Sequence, residues 1–470
     1  MIIDRIIRNI KEHAFSYALL GGSLLFYIFF AFYDGAIICV DSPSYINMSV
    51  TREAFYPSLL AFSRFLFGDG ELYLFMVILL QSILSAVAAW MLAEYLRKEM
   101  GTPHWISVCL LALPLAVSLL NRFAAQRASM YSNSIMTEGI AIALYLVAIR
   151  EILEFLLYQT RESLRWTCVL AVIMISTRKQ MYVILALICL AIIVVSMFNR
   201  FSVKSIGRGI LKSIIVAVAV LVAVGVYDRG YNYVVRGEVA GHSSDNRFLC
   251  TMVYYVAEES DADYIEDPQI RQLFLDIYDV CREKGYLGQS AGEGWYNEVT
   301  HFGDYYDSIQ IDTMWPMIHD YVDGENEALV ENGEYMDREI ETDRIMTEMI
   351  RAIFPHDYLR IGKVLFNNFL SGLVTTVAQR TPILVWYSIV AYLGYLGVLL
   401  YNLRLNKLSK TNIFALLTLV SIIGNVALVS AVIFCQTRYT VYNMPLFYMA
   451  GLLMLYELYR TKYKGKKIAD

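Results

Sequence analysis

The stretch AFSYALLGGSLLFYIFFAFY, residues 14–33, decides the fold class. It runs for twenty residues without a charge, which is the length that an α-helix needs to cross the hydrocarbon core of a bilayer. Similar runs recur along the 470 residues, of which 57% are hydrophobic, and the mean hydropathy is +0.47. No small-x-small cleavage site follows the first run, so we predict a retained helix rather than a removed signal peptide. The chain is therefore predicted to be an all-α polytopic membrane protein.

The apolar runs predict about ten membrane helices. They lie near residues 14–33, 72–95, 104–121, 134–157, 165–177, 181–199, 213–228, 383–402, 412–434 and 440–458. The fifth and sixth are separated only by STRKQ, residues 176–180, which is either a tight corner or a break within one segment.

The distribution of Lys and Arg predicts the orientation of these helices. With ten spans, the basic clusters of the N-terminus, of alternate connections and of the C-terminal tail all fall on one side. Cytoplasmic loops are the ones that carry such an excess, so both termini are predicted to be cytoplasmic. The extracytoplasmic side then receives residues 34–71, 122–133, 176–180, 229–382 and 435–439.

The acidic residues are concentrated in one block. Between Asp228 and Asp357 there are 29 acidic and 9 basic residues, whereas the rest of the chain has 15 acidic and 30 basic residues. Such a block predicts an inserted, mainly α-helical extracytoplasmic domain and argues against nucleic acid as a partner. We predict an N-terminal transmembrane module (1–228) that includes the outer loop 34–71, an acidic domain (229–382) and a C-terminal transmembrane part (383–470). Within the acidic domain, a helical stretch is predicted over 336–354, followed by a terminal amphipathic segment that begins at Pro355.

Polar residues that are costly in lipid gather on the predicted outer side. They are Asp34, Asp41, Arg52, Arg122, Arg127, Glu138, Arg178, Lys179 and Arg438. Arg178 and Lys179 are adjacent cations on the side that should be poor in cations, so they predict an anion. That anion is either a headgroup phosphate, for which the pair is an interfacial anchor, or the phosphate of a lipid carrier.

Four short motifs resemble the GT-C glycosyltransferases, closest to the protein O-mannosyltransferase and aminoarabinose-transferase type. The first is VDSPSY (40–45) with the later Arg52 and Tyr56-Pro57, in the first outer loop. The others are SNSIMTEGIAI (132–142), TRKQMYVI (177–184) and RYTVYNMPLFYMAGLL (438–453). The chain departs from that family in having Asp41-Ser42 where many relatives have an acidic pair. It also carries its large hydrophilic segment before the eighth helix rather than after the last one.

This resemblance implies an inverting sugar transfer from a polyprenyl-phosphate donor at the outer face of a cell membrane. Asp41 would be the general base for a hydroxyl of a glycan, lipid or protein acceptor. The cations that would bind the donor phosphate are Arg178, Lys179, Arg438 and Arg52. The residues that would orient the substrate or a metal are Glu138, Tyr45, Tyr56 and Tyr439. No cofactor is assigned; a divalent cation stays open, with Glu138 as its candidate ligand.

Several alternatives stay open. Asp34 is a rival base, and the side chain of Asp41 could instead cap a helix or close an Asx-turn. An oligosaccharide polymerase or ligase would place essential arginines in the large loop, at Arg271, Arg338 or Arg344. A lipid or sugar transporter would need charges in mid-helix and inverted repeats; the polar residues within the runs, Gln81 and Asn425, could simply bridge helices. Cys250 and Cys281 could pair in an oxidising compartment.

Overall fold

The computed structural model describes residues 13–124, 129–199, 202–242, 246–325 and 335–466, and most of these residues lie in helices. The helices of the first half are α1 (Ala14–Asp34), α2 (Ser42–Ile46), α3 (Phe55–Phe67), α4 (Glu71–Met100), α5 (His104–Ala124), α6 (Glu138–Tyr158), α7 (Arg161–Ile175), α8 (Tyr182–Asn199) and α9 (Val203–Arg236). Those of the second half are α10 (Arg247–Val256), α11 (Pro268–Glu283), α12 (Trp295–Ile309), α13 (Trp315–Glu325), α14 (Tyr335–Val377), α15 (Pro382–Asn406), α16 (Lys410–Val432), α17 (Thr437–Thr440) and α18 (Met444–Lys466). In place of strands, the described residues contain one isolated parallel bridge, between Ile37 and Ser134.

The protein is an all-α membrane protein. Among the described residues, seven helices are long and apolar enough to cross a bilayer. They lie at Ala14–Asp34, Glu71–Met100, His104–Phe123, Lys179–Phe198, Val203–Arg236, Pro382–Asn406 and Lys410–Val432. A helix also lies at each of the three remaining predicted positions, as α6, α7 and α18.

The described chain divides into two compact units. The first holds the residues up to Ala240, Val390–Ile422 and the residues from Val441 onward; the second holds Gly241–Ile389 and Ile423–Thr440. Within the first unit, α4 packs against α1, α3, α5 and α6. Its buried face is rich in Ser and Ala, and such small residues let membrane helices approach closely.

The second unit has an apolar core of its own. Large buried side chains of α10 to α14 meet there, among them Tyr254, Phe274, Tyr306 and Met349. The strong one-sided apolar pattern of α11 explains why it packs on this core, and Asp267 caps its N-terminus by accepting from the backbone N–H groups of Gln269 and Ile270.

Helix α14 differs from the sequence prediction. We expected a helix over 336–354 and a separate amphipathic segment beginning at Pro355, but the structure has one continuous helix over Tyr335–Val377 with Pro355 inside it. Proline removes one backbone donor and disfavours a helix interior. Here the packing of Ile353 and Ile361 into the same core, on both sides of Pro355, accompanies the continuous helix.

Candidate functional site

The loop between α1 and α4, which carries α2 and α3, is joined to the turn that precedes α6. The backbone N–H of Ile37 donates to the Asn133 carbonyl (2.9 Å), and the N–H of Ile135 donates to the Ile37 carbonyl (3.0 Å). The buried Asn133 side chain donates to the carbonyls of Phe30 and Gly35 at the end of α1. These bonds satisfy the polar backbone of two loops and fix residues 35–38 against 133–135.

Asp41 lies at the start of the short helix α2, where the buried Ser42 hydroxyl donates to the Ile135 carbonyl (2.8 Å). Although Asp41 occupies the N-cap position, its carboxylate makes no capping hydrogen bond within the described loop. Instead it accepts from Arg52 Nη2 at 2.8 Å, and the two side chains are 27% and 20% exposed. Arg52 Nε also donates to the Ser44 hydroxyl (2.8 Å). The ion pair therefore directs the Asp41 carboxylate while leaving part of it accessible.

Two buried tyrosines lie beneath this ion pair. Arg52 Nη1 donates to the Tyr45 hydroxyl (3.2 Å), and its guanidinium lies 4.5 Å from the Tyr45 ring centre. The Tyr45 and Tyr56 rings meet edge to face at 5.4 Å. Burial raises the pKa of both hydroxyls, and the charge of Glu138 adds to that rise in each. Burial also opposes the charge of Arg52, but Tyr45 and Asp41 outweigh it and raise the pKa of the guanidinium. The Tyr45 hydroxyl is therefore neutral, and it can donate or accept a hydrogen bond near the cation of Arg52 and the carboxylates of Asp41 and Glu138.

Gln81 connects the tyrosines to the turn before α6. Its Oε1 accepts from the Tyr56 hydroxyl (2.9 Å), and its Nε2 donates to the carbonyls of Ser132 (2.9 Å) and Ser134 (3.1 Å). A Cβ added at Gly139 would lie 2.4 Å from Gln81 Nε2. From the sequence, Gln81 was noted only as a polar residue within a span, and Gly139 was not identified as part of the site. The only hint of its role was its position directly after Glu138.

Glu138 forms the second ion pair of this region. Its carboxylate lies 2.5 Å from Arg178 Nη1, and the side chains of Glu138 and Arg178 are 1% and 15% exposed. Arg178 also donates to the Thr137 hydroxyl (3.3 Å). Glu138 lines a small cavity of about 30 Å³ together with Tyr27, Asn121 and Ser132. That volume suits one or two waters.

The STRKQ segment is a tight corner. Helix α7 ends at Ile175, a 3₁₀ turn covers Lys179–Met181, and α8 begins at Tyr182. The corner is bound to the loop between α1 and α4, since the Phe55 N–H donates to the Ser176 carbonyl (2.8 Å) and the Lys179 N–H donates to Glu53 (3.1 Å). Glu53 was not among the predicted residues, although it directly follows Arg52.

Seven of the nine predicted site residues therefore lie in one connected region of the first unit. They are Asp41, Tyr45, Arg52, Tyr56, Glu138, Arg178 and Lys179. The remaining two, Arg438 and Tyr439, belong to the second unit. There, Arg438 Nη2 donates to the Tyr439 hydroxyl (2.5 Å), and Asn425 holds the turn by donating to the Tyr439 carbonyl (3.1 Å).

The rival residues are each bound elsewhere. Asp34 accepts from two nitrogens of Arg122, at 2.9 and 3.2 Å. Arg271 donates twice to the Ile265 carbonyl, Arg338 pairs with Asp323, and Arg344 pairs with Glu341 and Glu348. Arg127 lies outside the described residues.

Neither a metal site nor a disulfide is found in the part of the chain that the structure describes. It contains no group of three His, Cys, Asp or Glu side chains that could hold a metal ion. Cys250 and Cys281 are both buried free thiols in the core of the second unit.

Comparison with protein-family models, with curated proteins and with solved structures gives no match.

Proposed function

We propose that the protein is a membrane glycosyltransferase that moves a sugar from a polyprenyl-phosphate donor to a cell-envelope acceptor. The observation that carries this proposal is the Asp41–Arg52 pair, a partly accessible carboxylate directed by an arginine in the first outer loop. A general base must reach the proton that it accepts, and geometry is the first test of a candidate. Among the two paired carboxylates of this region, Asp41 meets that condition and Glu138 is enclosed.

In the proposed reaction, Asp41 accepts the proton of the acceptor hydroxyl while that oxygen attacks the anomeric carbon. The bond from that carbon to the phosphate oxygen breaks, and the configuration is inverted. Charge develops on the departing phosphate, where a fixed cation stabilises the transition state. Arg52 and Lys179 are the candidate cations in the first unit, and Arg438 is the candidate in the second. Glu138 and Arg178 position the corner that carries Lys179.

The proposed topology has ten spans, with α6, α7 and α18 added to the seven most apolar helices. Both termini are then cytoplasmic, and the acidic domain and Asp41 are extracytoplasmic. The Lys and Arg distribution supports this arrangement, because it alternates consistently with ten spans. The membrane lipid and the acceptor both reach the outer loop in such a topology.

The polymerase or ligase reading is the second candidate, and the arginine geometry favours it less. The three large-loop arginines that it needs are all engaged by carboxylates or by a backbone carbonyl of their own unit. The transporter hypothesis is also weakened. Gln81, a polar residue within a span, is engaged in hydrogen bonds that join Tyr56 to the turn before α6.

The test is sugar transfer in membranes from labelled polyprenyl-phosphate monosaccharides, with wild type and Asp41→Asn at matched expression. Loss of a general base costs about 10²–10⁴-fold in rate, and we expect a loss of this size. Asp69→Asn is the matched control, because Asp69 belongs to the same loop and also pairs with an arginine, Arg64, at 3.1 Å, yet is 86% exposed. It should keep wild-type turnover.

Near-full turnover of Asp41→Asn would remove Asp41 as the base. A wild type that transfers no monosaccharide but joins lipid-linked oligosaccharides, with loss in an Arg271→Gln variant, would favour the polymerase instead.

A further inference from the structure

Arg380 follows α14 in the second unit, and its side chain contacts both α12 and α14. Its side chain is half-buried. Its Nη1 donates to the Val299 carbonyl (3.1 Å) and to the Ser371 hydroxyl (3.2 Å). Both acceptors are neutral, so they orient the guanidinium without compensating its charge.

The backbone of α12 makes room for this guanidinium at Gly303. A Cβ added there would lie 2.8 Å from Arg380 Nη2 and 3.4 Å from Nη1. Glycine in a helix interior is destabilising relative to alanine. The close approach of Arg380 gives a physical reason for a glycine at this position of α12.

The charge of Arg380 is left unbalanced. Burial lowers the pKa of its guanidinium, and Asp304, which is exposed, acts on it only at longer range. Among the described residues no ion pair with Arg380 is found, in contrast to Arg282 of the same unit, which pairs with Glu259 and Asp279. Of the five N–H donors of an arginine, the two on Nη1 are used. The Nε–H and Nη2–H groups form the remaining edge, which is the two-donor fork that matches a phosphate.

The sequence position of Arg380 indicates where such a phosphate would come from. The candidate span Pro382–Asn406 begins two residues later. The exposed Ile383 and Trp386 in its first turns are typical of a helix end at the membrane–water interface. At that depth the abundant anions are the phosphates of lipids.

We propose that Arg380 binds the phosphate group of a membrane lipid through its Nε and Nη2 edge. The lipid is either a phospholipid, bound at its headgroup, or a polyprenyl phosphate. The second source rests on the proposed function; the first does not.

The experiment measures lipid binding to the detergent-solubilised full chain by native mass spectrometry. The probes are undecaprenyl phosphate, phosphatidylglycerol and undecaprenol, which lacks the phosphate. The variants are Arg380→Gln, which removes the cation, Arg380→Lys, which keeps the charge but loses the fork, and Gly303→Ala, which displaces the guanidinium while the arginine remains. Arg282→Gln is the matched control.

We expect Arg380→Gln to weaken phosphate-lipid binding about 10-fold or more, as for loss of a charged hydrogen-bond partner. Arg380→Lys and Gly303→Ala should weaken it less, and Arg282→Gln and the undecaprenol complex should not change. Loss of both phosphate lipids assigns the site to headgroups in general, and selective loss of undecaprenyl phosphate assigns it to the carrier lipid. Either result supports the site.

Unchanged binding of both phosphate lipids in Arg380→Gln overturns the proposal and leaves Arg380 as a clamp between two helices. Undecaprenol binding that falls equally overturns it as well. If Arg380→Gln does not fold, Arg380→Lys and Gly303→Ala decide the question in the same way. Because no turnover is measured, failure of Asp41 as a base leaves the result on Arg380 unaffected.

Discussion

The two ion pairs of the first unit use the same chemical groups in different surroundings. Both members of the Asp41–Arg52 pair, and Glu138 of the Glu138–Arg178 pair, act on the buried Tyr45. The first pair keeps both side chains partly accessible, whereas the Glu138 carboxylate is enclosed. Exposed pairs contribute little to stability, but removing one partner of a buried pair leaves an uncompensated charge. The Asp41 carboxylate therefore stays partly accessible, whereas Glu138 joins the start of α6 to the corner between α7 and α8.

Glu138→Gln should have the largest effect on stability. It leaves the Arg178 guanidinium without its carboxylate in a nearly closed environment, and breaking a buried pair costs about 3–5 kcal/mol. Unfolding of the purified full chain by SDS titration measures this cost. The exposed Glu71 of α4 provides the control, since Glu71→Gln should change stability by less than about 0.5 kcal/mol. A cost for Glu138→Gln as small as that of the control would end the distinction between the two pairs.

Gly139→Ala should have the next largest effect. The added Cβ would lie 2.4 Å from Gln81 Nε2, and Gln81 cannot swing away without losing its bonds to Tyr56 and the turn at 132–134. Overpacking of this kind costs about 1–3 kcal/mol. Gly21→Ala in α1 is the control, because nothing lies within 4 Å of its added Cβ. If the two alanines behave alike in the same unfolding assay, the Glu138 side is not closely packed.

The sequence alone was sufficient for the helices but not for their contacts. A helix lies at each of the ten predicted positions, because a run of apolar residues the length of a bilayer has few other ways to satisfy its backbone. Helix α14 was predicted as two pieces, because Pro355 is a valid stop signal unless tertiary packing overrides it.

The partners of the site residues depend on long-range contacts that no local pattern specifies. Arg52 and Asp41 are eleven residues apart and were both singled out, yet their pairing was not predicted. Glu138 begins α6 and Arg178 lies in the corner between α7 and α8, and they were assigned to different tasks, a metal ligand and a phosphate cation. The structure makes them partners of one another. Gly139 and Glu53 carry only a weak local signal, their positions directly after Glu138 and Arg52, because their importance arises only when the loops meet.

Asp41→Asn should have the smallest effect on stability, even though the proposed function gives it the largest effect on turnover. The Asp41 and Arg52 side chains are 27% and 20% exposed, so breaking their pair should cost less than the roughly 3–5 kcal/mol of a buried pair, and SDS titration should show a smaller loss of stability than for Glu138→Gln. A double-mutant cycle with Arg52→Gln tests this further. If the pair serves only the fold, each single variant loses a similar amount of stability, and the double variant recovers part of that loss. If Asp41 acts on substrate, the single variant Asp41→Asn loses sugar transfer while it stays close to wild type in stability; the double variant is compared for stability alone, because Arg52 is itself a candidate cation for the donor phosphate. A large loss of stability in Asp41→Asn would instead make Asp41 equivalent to Glu138, and the loss of turnover would then report folding rather than chemistry.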